Sequence, residues 1–178
     1  MSLFISGTIP KEDEEYIKAY LKYLIDIGSI KDGDNEDYVH YSRGARGIYR
    51  AINLWNLVDQ ERSDKINKMF REEIRSETNK LFDEEGECGY IISIPQIKRM
   101  LELMEGFQEA LAPIADKYGK VYPDKVKYVQ EKAPHILVER TDGKGNIVYW
   151  LDEPSWYADT VVWLFKLALK LNREIITD

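Results

Sequence analysis

The chain carries a single cysteine, Cys88, so it can form no intramolecular disulfide and a four-cysteine zinc site is excluded. A lone thiol fits a reducing compartment. Long hydrophobic runs are absent as well. The longest, Val161 to Phe165, falls far short of the roughly 20 apolar residues that a membrane-spanning helix needs. No basic stretch followed by an apolar one opens the sequence, so no secretory signal is read, and the expected location is the cytoplasm. Positive charge is outnumbered: 25 Lys and Arg stand against 32 Asp and Glu, a formal net charge of −7 over 178 residues. Non-specific nucleic-acid binding depends on cations that neutralise phosphates, and anionic membranes attract basic segments. Neither partner is expected here.

Catalytic signatures are missing too. There is no Gly-x-Ser-x-Gly elbow, no Walker loop and no Gly-x-Gly-x-x-Gly. Histidine occurs only at His40 and His135, and no Glu-x-x-His pair is present, so no metal and no cofactor are expected. These absences do not exclude an enzyme, because catalytic triads are assembled in space.

What is present is enough for a core. Hydrophobic residues make up 44% of the chain and aromatics 12%, unlike a natively unfolded sequence. No internal repeat or low-complexity linker divides it, so one domain over residues 1–178 is expected. Leu3 to Ile5 reads as a short strand. Glu12, Asp13, Glu14 and Glu15 follow Pro10 and begin a helix from about Lys11 to Ile27, closed by Gly28. After a polar loop, Lys31 to Asp37, Ser42 can cap a second helix to about Asp59, and Ser63 a third to about Phe82. An acidic loop, Asp83 to Gly89, precedes a strand from Tyr90 to Ser93. Ser93 and Gln96 form a capping-box pattern. It opens an amphipathic stripe from Ile97 to Tyr118, which Pro113 should kink.

A short helix over Asp124 to Lys132 and a β-hairpin over 135–151 follow, the turn lying in Thr141 to Asn146. A final helix, Ser155 to Leu171, is apolar all round at Val161 to Phe165, which suits the centre of a core or one side of a dimer or partner interface. Ile175 and Ile176 read as an edge strand. The expected fold is α+β: about five or six helices around a central C-terminal helix, with a small antiparallel sheet that includes the hairpin.

Two constellations invite a function. Arg43, Arg46 and Arg50 share one side of the second helix with Gly47, Leu54 and Leu57, and His40 and Ser42 stand just before them. Guanidinium groups bind phosphate in a forked geometry, and glycines at 44 and 47 allow close approach. The structural alternative is an ion-pair seam. Folding the second and third helices into a hairpin sets Arg50 level with Glu73 and Arg46 level with Glu77. Glu73 and Glu77 alone are a weak metal site. The acidic loop Asp32 to Asp37 lacks the glycine and glutamate positions of a calcium loop. Carboxylates before Cys88 oppose thiolate formation.

The second constellation is Trp150, Asp152, Glu153, Trp156 and Tyr157, aromatic and acidic together, as in protein-binding hot spots, or else a staple between hairpin and helix. With net negative charge and no catalytic motif, the favoured reading is a non-catalytic protein-binding domain, immunity- or inhibitor-like, that covers a basic partner; a second copy of the chain is another candidate partner. The alternative is an enzyme or binder of a phosphorylated small molecule working through His40, Arg43, Arg46 and Arg50.

Overall fold

Strands from the two extremes of the chain meet inside one sheet. A computed structural model describes residues 3–5, 15, 18–19, 22, 40–41, 44–83, 86–152 and 156–177. Within the first predicted helix only 15, 18, 19 and 22 are described, and these are helical. The loop Lys31 to Asp37 and the cap Ser42 lie outside the described residues.

In chain order the elements are β1 (Leu3–Ile5), β2 (His40–Tyr41), α1 (Gly44–Val58), α2 (Gln60–Lys68), β3 (Lys80–Asp83), β4 (Gly86–Ile92), α3 (Ile94–Met104), α4 (Phe107–Leu111), α5 (Val126–Lys132), β5 (Leu137–Thr141), β6 (Ile147–Leu151), α6 (Trp156–Lys170) and β7 (Ile175–Thr177). The fold is α+β, as expected. The main sheet is antiparallel throughout, in the order β2-β1-β7-β4-β3. β5 and β6 form a separate two-stranded sheet, rather than joining the main one.

β7 is therefore no edge strand. It lies between β1 and β4, with Ile175 opposite both Ile5 and Ile92. Leu3, Ile5, Ile92, Ile175 and Thr177 are buried on one face, as the period of two requires. Below them pack Ile48, Leu54, Phe70, Met100, Leu164 and Phe165, all fully buried. In α6, Val161 to Phe165 are buried consecutively, as are Leu167 and Ala168, and the helix packs on α1 and α3.

The third predicted helix departs most from expectation. Its cap is Asp59, whose carboxylate accepts the Arg62 N–H at 3.0 Å. Ser63 instead points inward and donates its hydroxyl to the Ile52 carbonyl at 2.8 Å, tying α2 to α1. Both residue types cap well, and the chain uses the earlier one. Beyond Lys68 the helix widens into a π-helical stretch, Met69–Ile74, closed by Arg75 N–H on the Phe70 carbonyl at 3.1 Å. It ends there rather than near Phe82. Ser76 and Asn79 both bond the Glu73 carbonyl, at 2.8 and 2.9 Å. Such local side-chain bonds compete with helix continuation. Residues 80–83 and 86–89, expected as helix end and loop, form the β3–β4 hairpin.

The long amphipathic stripe is also divided earlier than expected. Gly106, at φ 82°, separates α3 from α4, because glycine enters the left-handed region without steric cost. Pro113 lies past the end of α4 and kinks nothing. Tyr118, placed in the stripe by its spacing, is 62% exposed. His135 sits in a 3₁₀ turn before β5.

The capping box at Ser93 forms in full. Ser93 Oγ accepts the Gln96 N–H at 3.4 Å, and Gln96 Oε1 accepts the Ser93 N–H at 3.0 Å. Ser93→Ala is expected to lower stability by about 1 kcal/mol without changing the fold. A denaturation midpoint equal to that of the parent would show that this cap carries no stability.

Candidate functional site

Arg50, the one member of the arginine stripe whose side chain is described, is drawn into the protein. Gly47, Arg50, Leu54 and Leu57 are buried together on α1, and Arg50 is only 8% exposed. The buried surface extends over Ile48, Ala51 and Trp55, while Tyr49 turns outward and meets the edge of Phe70 at 5.4 Å between ring centroids. His40 lies in β2 opposite Phe4. Arg43 lies outside the described residues, and of Arg46 only the backbone, helical in α1, is described.

The carboxylates of the expected seam point elsewhere. Glu73 takes Arg99 at 2.6 Å, and Glu77 takes Lys80 at 2.8 Å. The seam presupposed a straight third helix, and the π-helical widening and the stop at Ile74 carry Glu77 out of that register. Glu77 is 84% exposed beside Lys80, where ion pairs contribute little. Glu77→Gln is therefore expected to shift stability by no more than about 0.5 kcal/mol. A larger loss in urea titration would restore a buried role for this carboxylate. Among the described residues, no group of three or more His, Cys, Asp and Glu side chains could hold a metal ion.

Of the aromatic and acidic constellation, Trp150 and Asp152 are described in full. Trp150 stands in β6 opposite Val138, with the Arg140 guanidinium 5.6 Å from its ring centroid. The Asp152 N–H donates to the Ile136 carbonyl at 2.5 Å and closes the base of the hairpin. Glu153 lies outside the described residues. Trp156 and Tyr157 open α6, with their side chains outside the description. At the far end of the hairpin, Asp142 accepts the backbone N–H groups of Lys144 and Asn146 at 2.8 and 2.9 Å. The Asn146 bonds foremost hold its carboxyl below the usual range.

A shallow cleft of about 190 Å³ is lined by Leu111, Ala115, Asp116, Tyr122 and Leu151, among others. Asp116 is its acidic group, but its carboxylate is engaged by the N–H groups of Tyr118 and Lys120 at 2.8 and 3.0 Å. It is a turn-former.

One surface residue was hidden in the sequence. Phe82 lies in β3, the last strand of the main sheet, and is 68% exposed. Asp83, Glu84, Glu85 and Glu87 follow it in sequence. Its spacing fitted the end of an amphipathic helix, and its position among charged neighbours was the signal that could have marked it. Nearby on β4, Tyr90 carries the Arg75 guanidinium 5.8 Å from its ring centroid. The bond to the Tyr90 side chain is the main influence raising the Arg75 pKa.

No protein-family model matches this chain, and neither curated proteins nor solved structures show significant similarity to it. Among the described residues, no helix is long and apolar enough to cross a membrane.

Proposed function

We propose that this chain is a non-catalytic, acidic protein-binding domain of the immunity or inhibitor type, acting in the cytoplasm and covering a basic partner. In it α6 forms the centre of the packing and leaves the sheet edge for recognition. The observation that carries the proposal is Phe82, a large apolar side chain left 68% exposed on a terminal strand and followed in sequence by four carboxylates within five residues. Aromatic anchors supply most of the energy of an interface, and surrounding charge sets specificity and speeds encounter. A partner with lysines and arginines around an apolar pocket complements both features. Trp150, Asp152, Glu153, Trp156 and Tyr157 form the second acidic and aromatic stretch offered to the partner.

Arg50, on the buried stripe of α1, gives the phosphate-binding alternative less support. Affinity capture from the native cell, with the parent and Phe82→Ser in parallel, tests the proposal. The expected result is a basic protein held by the parent, lost in Phe82→Ser, and released as added salt shortens the Debye length from about 8 Å towards 3 Å. Identical captured proteins for both chains would sink it. A melting temperature raised by inorganic phosphate in the parent, but not in Arg46→Met, would favour the small-molecule alternative.

A further inference from the structure

β6 is paired on both sides. On one side lies β5; on the other, the Val121 N–H donates to the Tyr149 carbonyl at 2.9 Å and the Leu151 N–H to the Gly119 carbonyl at 2.8 Å. Odd-numbered residues of β6 thus bond away from β5, and even-numbered ones bond towards it, as antiparallel ladders alternate. The bonds from Asp152 N–H to the Ile136 carbonyl and from Asp142 N–H to the Asn146 carbonyl keep that even-numbered phase at both ends. In β5, then, Val138 and Arg140 bond to β6, while Leu137, Glu139 and Thr141 aim their N–H and C=O groups at the opposite side. Among the described residues nothing pairs with that side, and Glu139 to Thr141 are exposed. An open edge of this kind is a template for one more strand.

The side chains beside the edge define the strand it takes. Val138 and Arg140 share a face with Val148 and Trp150, and Glu139 occupies the other, where it accepts the Tyr149 hydroxyl at 3.2 Å. Neither Glu139 nor Arg140 forms an ion pair among the described residues. The edge therefore reads apolar, negative, positive from 138 to 140. A second copy is a poor occupant. Antiparallel self-pairing centred on Glu139 sets it against its twin, and centring on Arg140 does the same for the arginine; like charges directly opposite repel. Centring on Val138 leaves both charges without a counter-charge opposite, and centring on Thr141 offers Arg140 only Asp142, whose carboxylate already holds the Lys144 and Asn146 N–H groups beyond the end of the strand. An antiparallel strand with a carboxylate opposite Arg140, a cation opposite Glu139 and an apolar side chain opposite Val138 meets every position.

We propose that β5 docks an extended peptide segment of a partner protein as an added antiparallel strand, selecting the order acidic, basic, apolar. This surface is separate from Phe82 and stands without it.

The test is an NMR titration of the full chain with two synthetic peptides at millimolar concentration, acetyl-Thr-Thr-Glu-Lys-Val-Thr-Thr-amide and its charge-swapped form acetyl-Thr-Thr-Lys-Glu-Val-Thr-Thr-amide. The first should shift the amides of Leu137, Glu139 and Thr141, slow their hydrogen exchange, and bind about tenfold more tightly than the second. In the double variant Glu139→Lys with Arg140→Glu, both exposed positions, the preference should reverse. Unchanged amides at 137, 139 and 141, or equal affinities with no reversal, would overturn the proposal.

Discussion

Phe165→Ala lowers the free energy of unfolding by about 3 to 5 kcal/mol, the range for truncating a large buried aromatic. The ring is fully buried in α6, where Val161, Leu164, Leu167 and Ala168 are equally sealed. Little freedom remains for neighbours to relax into the space, so the cavity adds to the lost transfer energy. Domains of this size hold only about 5 to 15 kcal/mol in total, and one such truncation removes a large part of it. Urea denaturation would show the midpoint fall with an unchanged slope. A midpoint equal to that of the parent would mean that α6 is not part of the core. A melting temperature that depends on protein concentration would place the ring in an interface instead.

Ending the chain after Arg173 is expected to abolish cooperative folding. The cut removes β7, which carries the hydrogen bonds of β1 on one side and of β4 on the other. It also strips Ile175 and Thr177 from the buried face. The backbone groups of Leu3 to Ile5 and of Tyr90 to Ile92 that face β7 would lose their partners beside the buried Leu3, Ile5 and Ile92, and each bond left unmade in a buried site costs about 1 to 3 kcal/mol. Ile175→Val gives the graded control, with an expected loss of about 0.5 to 1.5 kcal/mol. A truncated chain with dispersed amide signals and a sharp melt would refute a structural role for this strand.

Elements announced by local chemistry were legible in the sequence. The Ser93–Gln96 box, the turn from Asp142 to Asn146 and the apolar run in α6 each rest on neighbours within a few residues. Features that depend on distant partners were not. Nothing in Ile175-Ile176-Thr177 reveals that Leu3 to Ile5 and Tyr90 to Ile92 flank it, so a central strand reads as an edge. The π-helical stretch escaped for a related reason. Met69 to Ile74 keeps a helical pattern, and the bonds from Ser76 and Asn79 that end it look, in sequence, like ordinary polar surface. The candidate site divides the same way. The hairpin that carries Trp150 and Asp152 was visible, whereas the exposure of Phe82 and the open edge of β5 follow from sheet order and hydrogen-bond phase, which composition and spacing do not encode.

The placement of β7 also sets a timetable for synthesis. β1 is made before every other described strand, and its central partner only when residues 175–177 are added. At about 5 to 20 residues per second, translation of the intervening chain takes roughly 9 to 34 s. Throughout that interval β1 presents an unpaired side to the crowded cell, and β4 does so once residue 92 has been added, the condition under which strands associate with the wrong neighbours. Contacts so distant in sequence also form slowly once available. A nascent chain of this protein is thus held open longest at its own centre, and factors that shield exposed strands during translation should raise its folded yield more than they would for a domain whose sheet closes from local hairpins.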